Sequence, residues 1–158
     1  WDPNEALKNT ENGLTLANND IQGVIASNDG TAGGAIQALA AQGLKVPISG
    51  QDADIAACQR IVEGTQTGTV YKPLAKLNLA ASELAVALAT GKDPKTSIDS
   101  DLGTWTTLNN NQKDVDTFSV DVMAIDQSNL YDVIVKQDKF HTVDEVYKNV
   151  PKDQWPQE

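Results

Sequence analysis

Apolar and polar positions along this chain fall into a unit met three times: a short apolar run, a polar turn, then apolar residues at helical spacing. The run Ile21-Gln22-Gly23-Val24-Ile25-Ala26-Ser27 has the length and flanks of a buried strand in a parallel sheet. Asn28-Asp29-Gly30-Thr31 is its turn. Ala32, Ala35, Ile36, Leu39 and Ala40 then share one helical face, which Gly43 closes as a C-terminal stop. The second unit has Val46-Pro47-Ile48-Ser49 as strand and Gly50 to Asp54 as turn. Its helix face is Ile55, Cys58, Ile61 and Val62, ended by Gly64. The third has Thr67 to Tyr71 as strand and a longer helix through Leu74, Leu77, Ala81, Leu84 and Leu88 to Gly91. Strand, turn and helix in this order predict an α/β fold, a parallel sheet with helices on both faces. Ahead of the first unit, Asp2 as N-cap and Pro3 at the first helical position predict a helix over 4–16, despite the interior Gly13.

Beyond Gly91 the pattern changes. Residues 92–117 are polar and predict loops with one short strand near Trp105. Phe118 to Ile125 alternates as a strand does. Ser128 is placed to cap a helix carrying Leu130, Val133 and Ile134. Thr142-Val143-Asp144-Glu145 has the spacing of a capping box, in which the Thr hydroxyl and the Glu carboxylate each bond the other's backbone N–H.

Charge removes one class of partner. With 12 Lys and Arg against 22 Asp and Glu, the net charge is -10, the wrong sign for gripping nucleic-acid phosphates. The single Cys58, on an apolar helix face, and the single His141 form neither a zinc set nor a Cys–His nucleophile pair. Both read as structural, and the sequence calls for no metal, no cofactor and no enzyme chemistry. Asp99 and Asp101 lie in the polar stretch without the spacing of a calcium loop. No apolar run approaches the ~20 residues of a membrane span. No signal peptide is visible, and the chain opens on Trp1-Asp2-Pro3 without an initiator Met, which reads as a partial or processed chain.

Open α/β sheets bind ligands at the carboxyl ends of their strands. That rule selects Asn28-Asp29, Gln51-Asp52 and Lys72: an amide, carboxylates and an ammonium. A sugar hydroxyl both donates and accepts, so it can bond Asp52 and Lys72 together, while Asn28 does both jobs with one side chain. A phosphate would call for a Gly-rich basic turn, which none of these is. Asn and Asp after a strand are also ordinary turn formers and N-caps, so each position keeps that second reading. Gly33 and Gly34 in the following helix are suited to close backbone approach.

At these turns the chain resembles the periplasmic sugar-binding proteins of ABC importers and, among them, the D-xylose-binding branch. The stretches that carry the resemblance are Ala26-Ser27-Asn28-Asp29-Gly30-Thr31-Ala32-Gly33-Gly34, Ile48-Ser49-Gly50-Gln51-Asp52-Ala53-Asp54 and Gly64-Thr65-Gln66-Thr67 through Thr69-Val70-Tyr71-Lys72-Pro73. The match beyond residue 75 is looser. The resemblance implies two α/β lobes closing on a sugar, with Asn28, Asp52 and Lys72 as polar contacts and Trp1 stacked on the ring. It places residues 1–72 and 119–158 in an incomplete C-terminal lobe and 73–118 in the N-terminal lobe. A companion chain or segment would then supply the rest of that lobe.

The implied partners are D-xylose or a related pentose and the membrane subunits of an importer, or else a membrane sensor kinase that reads the sugar-bound form. The implied location is extracytoplasmic, in the periplasm or as a cell-surface lipoprotein. A repressor's effector-binding core shares such a fold but needs a helix-turn-helix, and a glycoside-processing enzyme needs a catalytic carboxylate pair that is not apparent here.

Overall fold

The computed structural model describes residues 1–156. The chain divides into two units, Trp1–Tyr71 with Met123–Glu158, and Lys72–Val122.

The first unit begins with α1 (Pro3–Leu16). Asp2 caps it by accepting from the Asn4 N–H at 2.8 Å, and Pro3 occupies the first turn, where its missing N–H has no consequence. Helix α2 (Asp29–Ala41) and helix α3 (Ile55–Val62) follow, then strand β1 (Gly68–Tyr71). After the second unit the chain returns through β4 (Met123–Asp126), a π-helix at Tyr131–Gln137, and α6 (Val143–Val146).

The expected strands around Val24 and Ile48 contract to a single parallel bridge between these two residues. Pairing continues outward from it. Thr67 N–H donates to Ile48 O, Val70 N–H to Gly50 O, and β1 pairs antiparallel with β4 in the register Thr69 to Ile125. Gly23, Pro47 and Gly50 interrupt the regular ladder, because Pro lacks the N–H and Gly adds no side chain to the pleat.

Alternation along this sheet sorts its residues sharply. Ile48, Thr69, Tyr71 and Ile125 are buried under the helices. Three clusters make that core: Leu14, Ala38 and Leu39 between α1 and α2, Ala32, Ala35 and Ile48 beneath α2, and Cys58, Ile61, Tyr71, Ile125, Leu130, Ile134 and Val146 beneath α3, the π-helix and α6. The opposite face shows Ile25, 95% exposed, and opens into a groove of about 600 Å³ lined by Ile25, Pro47, Val70 and Ala124. Among the described residues, the first unit contributes no second helical layer there.

Close approach fixes the start of the chain. A Cβ on Gly34 would collide with the Pro3 carbonyl, so only glycine lets α1 cross α2 at this distance. Gly43, Gly64 and Gly91 end their helices at φ of +67°, +75° and +68°, as their positions predict.

The second unit holds α4 (Leu74–Ala89), the short α5 (Pro94–Ser97), a 3-10 turn at Ser100–Leu102, and a hairpin of β2 (Thr104–Asn109) and β3 (Asp114–Ser119). Its core is Ala80, Ile98 and Leu102 with Trp105 and Phe118, whose rings meet edge-on at 5.3 Å. This corrects the expectation of loops with one short strand over 92–117. Trp105, Thr106, Thr107, Val115 and Phe118 are β-formers set between polar neighbours, and cross-strand pairing orders them. The expected strand over 118–125 is two strands, separated at Val120–Val122. The expected Ser128 cap is also corrected. Asp126 accepts from both the Ser128 N–H and hydroxyl in the turn ahead of the π-helix, whose start at Leu130 has no side-chain cap. The Thr142 capping box is present as expected, with the Glu145 carboxylate at 2.9 Å from the Thr142 N–H.

Candidate functional site

Two of the three strand-end turns lie side by side in the first unit. The Asp29 N–H donates to Gln51 O at 2.9 Å, and the Asp52 N–H to Val70 O at 2.9 Å. These bonds tie the turn after the Val24 segment to the turn after the Ile48 segment, and that turn to β1. Asn28 and Asp52 are thereby placed on neighbouring turns, both half-buried.

Asn28 is the N-cap of α2. Its Oδ1 accepts from the Thr31 N–H at 3.0 Å and from the Thr31 hydroxyl at 2.7 Å, and the Thr31 Oγ1 receives the Asn28 N–H in return. The turn-former reading of Asn28 is therefore correct as far as it goes. With Oδ1 committed to the helix, the amide N–H2 is the donor that Asn28 keeps outside its cap.

Asp52 does not cap α3. Asp54 stands at that position, and its side chain makes no capping bond either. Asp52 instead has φ of 106° and Ala53 φ of 53°, two successive non-glycine residues in left-handed backbone. The turn is clamped from several directions. The Ala53 N–H donates to the Thr69 hydroxyl at 3.2 Å, and the Asp54 N–H to the Asp29 carboxylate at 3.0 Å. Ala53 O receives His141 Nε2 at 2.8 Å. A carbonyl only accepts, so this contact fixes the proton on Nε2. His141 is structural, as its sequence context suggests.

Trp1 precedes the α1 cap and is 85% exposed. Gly30, in the first turn of α2, has both Pro3 and Asn28 within 3.7 Å of where its Cβ would stand, so the start of α1 adjoins the Asn28 turn. Lys72, half-buried, is the residue after β1 and the first of the second unit.

Beneath these turns lies a buried polar network that sequence reasoning did not single out. Asp29 is 1% exposed. Its carboxylate accepts from Gln66 Nε2 at 2.9 Å, the Thr69 hydroxyl at 2.9 Å and the Asp54 N–H. Arg60 donates to Gln66 Oε1 at 2.9 Å and to the Asp29 backbone carbonyl at 2.8 Å, so it supports the network without pairing directly with the carboxylate. Burial pushes the Asp29 carboxyl above the ordinary range, opposed by its bonds from Gln66, Asp54 and Thr69. Burial likewise pushes the Cys58 thiol up to about 12, which makes it inert at neutral pH. A carboxylate after Asn at a helix start reads as a favourable first-turn charge. Gly50, whose Cβ would overlap the Asp29 carboxylate and lie 2.6 Å from Gln66 Nε2, is the one local sign that this one points inward.

Among the described residues no group of three or more His, Cys, Asp or Glu side chains is arranged to hold a metal ion, and no helix is long and apolar enough to cross a membrane. What the arrangement offers is hydrogen bonding: an amide N–H2 and a carboxylate on adjacent turns, with an exposed indole at the same end of α2.

Comparison with known proteins bears on this geometry. Residues 1–93 match the family model described as a periplasmic binding protein domain. The chain is 51% identical over 148 residues to the D-xylose-binding periplasmic protein of Escherichia coli K12, covering 92% of this chain and 42% of that protein. It is 49% identical over 149 residues to the protein of the same description from Haemophilus influenzae, covering 93% of this chain and 42% of that one. It thus spans less than half the length of these relatives. Among solved structures, a carbohydrate transporter solute-binding protein from Chloroflexus aurantiacus in complex with D-glucose superposes with a TM-score of 0.78 at 31% identity, over 92% of this chain and 42% of that one. A periplasmic solute-binding protein from Actinobacillus succinogenes with bound D-allose superposes at 0.62 with 26% identity, over 89% and 40%. The matched family model, the half-identical relatives and the shared fold agree: this chain belongs to the periplasmic binding protein family and is similar to its D-xylose-binding members.

Proposed function

We propose that the protein containing this chain binds D-xylose outside the cytoplasm and delivers it to an ABC importer, without transforming it. The observation that supports this most is the pairing of the Asn28 and Asp52 turns at adjacent strand ends, in a chain half-identical to D-xylose-binding proteins along nearly its whole length. An amide donor beside a carboxylate acceptor suits a neutral polyol. Each sugar hydroxyl can donate to Asp52 and accept from Asn28, and the ammonium of Lys72 adds a charge-assisted donor. Trp1 covers the apolar C–H face of the pyranose ring, as a flat, exposed indole can.

In this reading the first unit belongs to the C-terminal lobe and the second to the N-terminal lobe, with the chain crossing between them near Lys72 and again at Val120–Val122. The sugar binds the closed arrangement of the lobes better than the open one, and so shifts the population toward closure. The rest of the protein, as a companion segment or chain, supplies the missing part of the fold. The open apolar groove beside Ile25 supports this, because a parallel sheet is ordinarily covered on both faces.

Isothermal titration of the full-length protein with D-xylose tests the proposal. D-ribose, D-glucose and D-allose serve as controls, the last two because related proteins hold them. Heat with D-xylose in preference to the others is the expected result. Tighter binding of a hexose would replace xylose with that sugar, and no heat with any of them would remove the sugar reading.

A further inference from the structure

The turn that carries Asp52 is conformationally costly, and the structure shows what holds it. Asp52 and Ala53 both occupy left-handed backbone, at φ of 106° and 53°. Neither is glycine, and such strain persists where the surroundings over-determine it. Side chains from outside the turn do so: His141 holds the Ala53 carbonyl, and Thr69 and Asp29 hold the N–H groups. The Thr69 hydroxyl, on β1, receives the Ala53 N–H and donates its own proton to the Asp29 carboxylate. The Asp29 carboxylate, on α2, also receives the Asp54 N–H. Gln66 fills the other carboxylate oxygen, held in turn by Arg60. Gly50 leaves the space the carboxylate needs.

The cost of this arrangement argues that it serves more than packing. A carboxylate that is 1% exposed and takes its hydrogen bonds from neutral groups is disfavoured by desolvation, and a serine or an amide could satisfy a simple turn at lower cost. The carboxylate differs from those in being acceptor-only, so it can take the backbone N–H of Asp54 and the Thr69 hydroxyl on one oxygen while Gln66 takes the other. The result is a fixed orientation for the peptide between Asp52 and Ala53.

We propose that Asp29 and Thr69 are positioning residues, which pin the left-handed backbone of Asp52 and Ala53 so that the Asp52 carboxylate is presented to the sugar at a fixed place. Neither residue touches the ligand. This rests on the sugar-binding reading above, and its test separates the two.

The experiment is a double-mutant cycle in the full-length protein, with D-xylose affinity read by titration into the millimolar range. Thr69→Val keeps shape and removes the hydroxyl. It is expected to weaken binding about tenfold, while Thr69→Ser restores it. In an Asp52→Ala background, Thr69→Val is expected to change affinity little, because it acts through Asp52. Amide hydrogen exchange without sugar provides a second readout. The Ala53 and Asp54 N–H groups should exchange faster in Thr69→Val than in the parent. If the valine variant does not fold, Thr69→Ala is taken through the same cycle.

Unchanged affinity in the hydroxyl-free variant, or an equal loss with and without the Asp52 side chain, would overturn the inference while leaving the sugar reading in place. Failure of the parent protein to bind D-xylose or any control sugar would overturn the sugar reading, and this inference with it.

Discussion

The two turns that flank the candidate site are built in opposite ways. The first, at Asn28–Thr31, carries its own cap, in which Asn28 and Thr31 exchange hydrogen bonds three residues apart, while Asp29 within it reaches out to Gln51 and Arg60. The second, at Gly50–Asp54, is held from outside, by Thr69 on β1, Asp29 on α2 and His141 far along the chain. Altering the local Asn28–Thr31 cap is expected to cost only that cap. A borrowed turn is expected to propagate damage from residues distant in sequence.

The sharpest contrast lies in two glycines. Gly50→Ala places a methyl against the Asp29 carboxylate and Gln66 and is expected to destabilise the protein by about 3 kcal/mol, as overpacking of a close core site does. Gly30→Ala meets only ordinary contacts at 3.7 Å within the first turn of α2. It is expected to stabilise by about 0.5 kcal/mol through helix propensity. Urea denaturation of both variants checks the pair, and a similar cost at both positions would erase the distinction between the turns.

Next in size is Asp29→Asn. One oxygen becomes a donor, so either the Gln66 amide or the pair Thr69 and Asp54 faces a mismatched group. A loss of about 2 kcal/mol is expected at neutral pH. The same residue gives a pH signature. Its folded pKa is raised by burial, so the folded state keeps a proton that the unfolded state has already released. Stability should therefore fall as pH rises from the ordinary carboxylate range through the raised value, and the Asp29→Asn substitution should remove that slope. The urea midpoint followed across this window is the measurement.

Smallest is the local cap at Asn28. Asn28→Ala is expected to cost about 1 kcal/mol, the ordinary value of an N-cap. Asn28→Asp keeps the capping oxygen and removes the amide donor, so the melting temperature should hold while D-xylose affinity drops. If both variants lowered stability alone, Asn28 would be a cap and nothing more.

The same contrast explains what can be read from the chain. Helices with local signals are legible: Asp2-Pro3 starts α1, Thr142 and Glu145 start α6, and Gly43, Gly64 and Gly91 stop their helices. The β2–β3 hairpin is hidden because its residues are mostly polar, and only cross-strand pairing orders them. The division into two units at Lys72 and Val122 also follows from contacts between distant residues.

The strand-turn-helix order and the strand-end places of Asn28 and Asp52 follow from spacing within a few residues, and the family resemblance follows from the residues of these turns taken together over the first 75 positions. Tertiary structure alone decided which carboxylate is buried and which turn it holds. Asp29 and Asp52 are both acidic residues in strand-end turns, and nothing in their immediate neighbours marks one for burial and the other for partial exposure. The difference arises when Thr69, 40 residues away from Asp29, and Gln66, 37 away, close over it, so that desolvation and hydrogen-bond geometry act on one carboxylate and spare the other.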